Sequence, residues 1–293
     1  MCCSDAYSQP PTLPEATLAF DVASVTQNKL DDSPTMNFSL GPSASYTPSG
    51  GYFAATNIPL YQYIAFAYKM TNFQLLSLLP QLPTWVATER FDIHARAEGN
   101  PTKDQMRLMM RTLLADRFKM TIHQEIRQVP VFGLILDKPG KIGPQLRPHP
   151  PEEVSCSSIP PPTPPTGTAP APASTTAGGF PVTCGGVMGM PANTPGHIRF
   201  GARNVTMPTI AAGLTGPASN VDRPVVDQTG LTGTYDFVIE FLPEPPQGSP
   251  PNPDKTGPTF LEALTEQLGL KLTRQKGPAE YFIVDHIEKP LAN

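Results

Sequence analysis

Charge is scarce in this sequence, and basic clusters are scarcer still. Of its 293 residues, 16% are Asp, Glu, Lys or Arg, against roughly 25% in an average soluble chain. The formal net charge is −4 with no dense Lys/Arg run, which leaves no footprint for a phosphate backbone and predicts no nucleic-acid partner. No stretch approaches the 18 or so apolar residues of a membrane-spanning helix; the best, residues 60–70, is too short and contains Lys69. G-x-S-x-G, H-E-x-x-H, P-loop and C-x-x-C motifs are all missing, so the sequence points to no catalytic residue, no metal site and no cofactor. The four cysteines, Cys2, Cys3, Cys156 and Cys184, lack metal-site spacing.

Proline, in contrast, is abundant, at 38 residues, more than twice the usual share of about 5%. It divides the chain into an N-terminal tail (1–19), a first module (20–138), a proline-rich insert (139–195) and a second module (196–290) with its own proline-rich loop (242–258). The insert contains SSIPPPTPPTGTAPAPASTTAGGFP, a composition that buries too little apolar area to offset its ordering entropy and reads as a spacer. Cys156 and Cys184 flank that stretch. A disulfide between them would close a loop worth about 3–4 kcal/mol; two unpaired thiols are the alternative. The tail, MCCSDAYSQPPTLPEA, is of the small, polar kind that follows a signal-peptide core, with no such core before it. The expectation is a periplasmic or secreted protein whose signal is missing from the chain, with a cytoplasmic location as the alternative.

One unit is used twice. In the first copy Phe91, Ile93 and Ala95 alternate with Asp92, His94 and Arg96, the period of a half-buried strand. Thr102 and Gln105 have capping-box spacing, and Met106, Met109, Met110, Leu113 and Leu114 form one apolar helix face. Phe118, Met120 and Ile122 alternate next, and residues 131–136 supply an apolar return strand, so a hairpin is predicted to close the unit. In the second copy Tyr235, Phe237, Ile239 and Phe241 form a strand face. Thr259 and Glu262 repeat the capping box, Leu261, Leu264 and Leu268 a helix stripe, and Gly269 a C-cap. Residues 271–274 and 281–285 then form a second predicted hairpin. GHIRFGARNVTMPTIAAGL also repeats the order of glycine, short strand, asparagine and apolar helix found in GGYFAATNIPLYQYIAFAY. The predicted fold is α+β, two related modules, each a small mixed sheet with two helices on one face.

The stretches FDVASV, LPTWVATERFDIHARA, LLADRFKMTIHQEIRQVPVFGLIL, VVDQTGLTGTYDF, LTEQLGLKL and IVDHIEKP closely resemble the soil-associated protein family expanded in acidobacteria, a domain of unknown function. The resemblance covers about residues 20–290 and implies export, but no activity, cofactor or site residue. More weakly, each half resembles the short N-terminal domain of secretins and TonB-dependent receptors, which implies a periplasmic interaction module.

The remaining candidates for chemistry are few. His94, His123 and Glu125 are predicted on polar strand faces, where a solvated surface competes with metal binding or acid–base work. Thr229-Gly230-Leu231-Thr232-Gly233 reads as a turn rather than an anion-binding nest. The methionines and the lone Trp85 read as core packing rather than a ligand platform. The expected function is a non-enzymatic binding or adaptor protein that recognises an envelope protein, by strand addition to a sheet edge. The alternative is a small-molecule sensor with its ligand between the modules. An enzyme would require His94, His123 and Glu125 to converge with a further carboxylate.

Overall fold

The computed structural model describes residues 18–151 except 31, 44, 45 and 47, and residues 175–290 except 177, 217 and 245–255. The alternation around Phe91 becomes a strand, β4 (Arg90–Arg96), flanked by β1 (Val22–Asn28) and β3 (Tyr52–Pro59), with β2 (Thr35–Met36) outermost. Phe91, Ile93 and Ala95 are buried beneath α1 (Leu60–Ala67) and α4 (Lys103–Phe118). Between α1 and β4 the chain forms a run of short helices. These are α2 (Asn72–Leu78), a 3-10 turn (Leu79–Gln81) and α3 (Thr84–Thr88), because Thr71 and Gln74 form a further capping box.

The second module repeats this arrangement with fewer helices. Its sheet has the order β6 (Leu146–Pro148), β10 (Thr234–Phe241), β8 (Ile198–Thr206), β7 (Met188–Met190). Both edge strands come from within residues 139–195, so that segment, expected as a spacer, supplies part of the second module. Residues 152–174 of it lie outside the described residues. Helices α5 (Met207–Gly213) and α6 (Phe260–Leu268) complete the core. In α6 the buried stripe is Phe260, Ala263, Leu264 and Leu268, whereas Leu261 is 57% exposed. The 4-residue spacing from Phe260 to Leu264 competes with the 3-residue spacing from Leu261, and the ring wins by packing edge-on against Phe241 at 5.1 Å.

The duplication is visible in backbone detail. Asn57 and Asn204 both adopt positive φ, 56° and 53°, a conformation that asparagine tolerates better than most residues. Each sits where the strand pairing shifts register, three residues before a helix. At both bulges a carboxylate of the neighbouring strand accepts the amide: Asn57 N donates to Asp92 at 2.7 Å, and Asn204 N donates to Asp236 at 2.9 Å.

Neither predicted hairpin forms. β5 (Thr121–Leu136) runs straight for 16 residues, and β11 (Leu270–His286) for 17. They pair antiparallel with each other along nearly their whole length, a ribbon of roughly 50 Å. At one end Ile122, Phe282 and Val284 pack on the first core; at the other, Leu134 and Leu270 belong to the second. Each module therefore closes its core with a strand from the other half. The crossing is symmetric. Counting nine residues past the left-handed caps Lys119 and Gly269 reaches Gln128 and Pro278, and these two are partners in the register. Both four-stranded sheets are antiparallel throughout. Mixed pairing occurs in the third sheet, where β9 (Val225–Asp227) runs parallel to β5.

Candidate functional site

The ribbon brings the two modules side by side and fixes what lies between them. Helix α2 rests on β11 through Phe73 and Tyr281, whose rings meet edge-on at 5.3 Å, and it also contacts α5 of the other module. Between them lies a partly open cavity of about 480 Å³, within the usual range for small-molecule sites. The first module contributes Ser43, Lys69 and Asn72; the second contributes Val187, Phe200 and Ala212, among others. Two hydrogen bonds join the walls across the module boundary. Asn72 Nδ2 donates to the Thr215 carbonyl at 3.3 Å, and Ser43 Oγ to the Cys184 carbonyl at 3.4 Å. Beyond Thr215 a second hollow of about 380 Å³ opens, lined by Phe73, Leu76 and Asp222.

Close packing shapes the rim. A Cβ at Gly186 would stand 2.7 Å from Ser43 Cβ, and one at Gly213 2.6 Å from Val187 Cγ2; neither approach is open to a larger residue. Cys184, next to the rim, is buried and disulfide-bonded. Cys156, its expected partner, lies outside the described residues, as do Cys2 and Cys3.

Behind the cavity the apolar stripe of α4 is extended by two cations. Lys103 and Arg107 are 3% and 2% exposed, and the spacing 103, 107, 110, 114 is that of one helix face. Arg107 pairs with Asp104 and donates to the carbonyls of Gly41, Pro42 and Ser43 at 3.2, 3.2 and 2.9 Å, pinning the loop that lines the cavity. Burial lowers the Lys103 pKa to about 8, with repulsion from Arg107 adding to the effect and Asp104 opposing it. The Asp104 carboxyl is held below its ordinary value chiefly by the Arg107 hydrogen bond. Both cations lie on the face that the apolar residues define, so the helix period is the signal for them in the sequence.

The expected polar patch is divided between two sheets. His94 stands on β4, where Tyr52 Oη meets its Nδ1 at 3.1 Å. His123 and Glu125 stand on β5, with His123 between Asp285 (2.9 Å) and Glu125 (3.3 Å), and Arg127 bonded to Glu125. Hydrogen bonds to Asp285 and then Glu125 raise the His123 pKa above its ordinary 6.5. A raised histidine pKa gives stabilisation that is complete below about 6.5 and is lost as pH rises through the folded value. An NMR titration should therefore place the His123 midpoint above 6.5, and Asp285→Asn should lower it. An unchanged midpoint in that variant would remove Asp285 as the cause. Among the described residues no cluster of three or more His, Cys, Asp or Glu could hold a metal ion.

A second polar centre was not legible in the sequence. Asp236, fully buried, accepts from Arg147 at 2.8 and 3.1 Å, from His149 Nδ1 at 2.7 Å and from Asn204 N. The arrangement fastens edge strand β6 to the bulge of β8. Elsewhere Met106, Met109 and Met110 are buried, Trp85 packs against the first core, and Thr229 closes a turn on Asp227. No helix among the described residues is long and apolar enough to cross a membrane.

Fold and cavity together define a two-module α+β protein whose halves are interlocked through one ribbon. Residues 61–287 match the family described as a protein of unknown function, DUF3738, and the chain belongs to that family. Comparison with curated proteins and with solved structures found no match.

Proposed function

We propose that this is a binding protein that holds a small molecule between its two modules. The observation that carries this reading is the cavity itself, which is mostly apolar, lined by both modules and crossed by hydrogen bonds between them. Ligands favour such junctions because two separately packed surfaces leave a concave gap with backbone polar groups at its edge. The reading involves no catalysis. It places the protein outside the cytoplasm, in keeping with the bonded state of Cys184; cell fractionation checks that placement. The proposed kinship with acidobacterial soil-associated proteins and with the secretin-type domain fits an envelope sensor.

A thermal-shift screen of small molecules tests the reading. Ala212→Phe, which fills the cavity from α5, should abolish the stabilisation given by those that bind the wild-type protein. If no compound stabilises the wild type, or if the variant responds equally, the cavity is not the binding site. The adaptor reading then comes forward. It is favoured by β1, an edge strand bracketed by exposed Val22 (71%) and Leu30 (67%), a surface suited to strand addition.

A further inference from the structure

We propose that the molecule held between the modules is an amphiphilic anion, with an apolar body in the cavity and a carboxylate seated against Lys69. This rests on the ligand-binding reading above and names its ligand class.

Lys69 is the only charged side chain among the described residues that line the larger cavity; no carboxylate faces it there. Lys69 is exposed and its backbone is in the left-handed region, φ 51°, at the end of α1. It stands close enough to Lys103 and Asp104 to influence both. A carboxylate partly desolvated against the Lys69 ammonium gains more than one in bulk water.

The rest of the lining explains the apolar body. Val187, Met188, Phe200, Pro208 and Ala212 offer carbon. The smaller hollow beyond the Asn72–Thr215 bond is lined by Asp222, whose charge is offset by Arg223 at 2.7 Å, so its lining offers an anionic head no cation. The two hollows thus impose a direction, with the anionic head in the larger one.

Calorimetric titration of the full chain with octanoate, octan-1-ol and octylamine tests the inference. Wild-type protein should bind octanoate about tenfold more tightly than octan-1-ol and bind octylamine most weakly. Lys69→Met should bring octanoate down to the level of octan-1-ol without changing the alcohol, and Lys69→Arg should preserve the preference. Ala212→Phe and, independently, Thr209→Trp, both on the cavity wall, should weaken all binding. Equal affinity for acid and alcohol, or a preference that survives Lys69→Met, overturns the anion while the cavity reading stands. Binding that neither wall variant weakens, or no binding of any probe, overturns the inference and the cavity reading together.

Discussion

Cut between residues 151 and 175, the two halves should not fold when produced separately, and should fold when mixed, as a 1:1 complex. Without the second half, the first core loses Phe282, Val284 and Ile287, and β5 loses its partner along residues 121–136. Loss of one buried phenylalanine side chain costs about 3–5 kcal/mol, comparable with the whole stability of many domains, about 5–15 kcal/mol. The second half fares no better, since Leu134, Leu146 and Phe132 leave its core. Amide NMR spectra of each fragment should show the narrow dispersion of an unfolded chain. The mixture should recover the spectrum of the intact protein, and light scattering should report one copy of each. Two well-dispersed spectra from the separate fragments would mean that each half can close its own hairpin, and that the exchange of strands is a consequence of linkage rather than a requirement of folding.

That alternative shows why the ribbon could not be read in the sequence. A local hairpin and the exchanged ribbon bury the same alternating residues against the same kinds of neighbour. Periodicity therefore located the strands around Ile122 and Tyr281 but not their partners, and it began the first too early, since Phe118 closes α4 and Lys119 is its left-handed cap. The difference lies at the predicted turns. Val129 and Gly277 each precede a proline, which biases them to extended backbone. A tight two-residue hairpin of type I′ needs positive φ at two successive positions, which proline cannot supply. Gly277 is not among the glycines at positive φ; it lies opposite Val129 at the middle of the ribbon, where a Cβ would stand 3.0 Å from Val131. The turn chemistry at both prolines disfavours a hairpin, whereas alternation alone allows one.

The candidate site was legible only in outline. Two modules imply a junction, but which residues line it depends on the ribbon register and on α2, whose Thr71–Gln74 capping box follows directly on α1. Capping boxes at Thr102 and Thr259, the Met106–Leu114 face and the left-handed Gly269 are short-range features, set by neighbours within one or two helical turns. Lys69, Asn72 and Thr215 meet through contacts across as many as 143 positions, and no local rule encodes such a meeting. His94 and His123 fell on strands, yet their sheets differ, because β4 and β5 separate after α4.

The bulge carboxylates provide the second large effect, with an internal control. Asp236→Ala should lower stability by about 3 kcal/mol, the low end of the range for breaking a buried ion pair, because the carboxylate is fully buried but Arg147 is 40% exposed and water can reach it. Three donors lose their acceptor: Arg147, the His149 ring (7% exposed) and the Asn204 amide. Edge strand β6 loses its side-chain anchor to β10 as well, although the backbone ladder from Arg147 to Asp236 remains. Asp92→Ala removes the equivalent acceptor of the first module, where Asn57 N and Asn28 Nδ2 donate to the same oxygen and the carboxylate is only half-buried. Water can reach what is left, so about 1–3 kcal/mol is expected. Urea unfolding followed by circular dichroism measures both. Asp236→Asn should fall between wild type and Asp236→Ala, because the amide oxygen can still accept from Asn204 while the charge facing Arg147 is gone. Equal losses at the two aspartates would show that the stabilisation belongs to the bulge alone and that Arg147 and His149 add nothing to it.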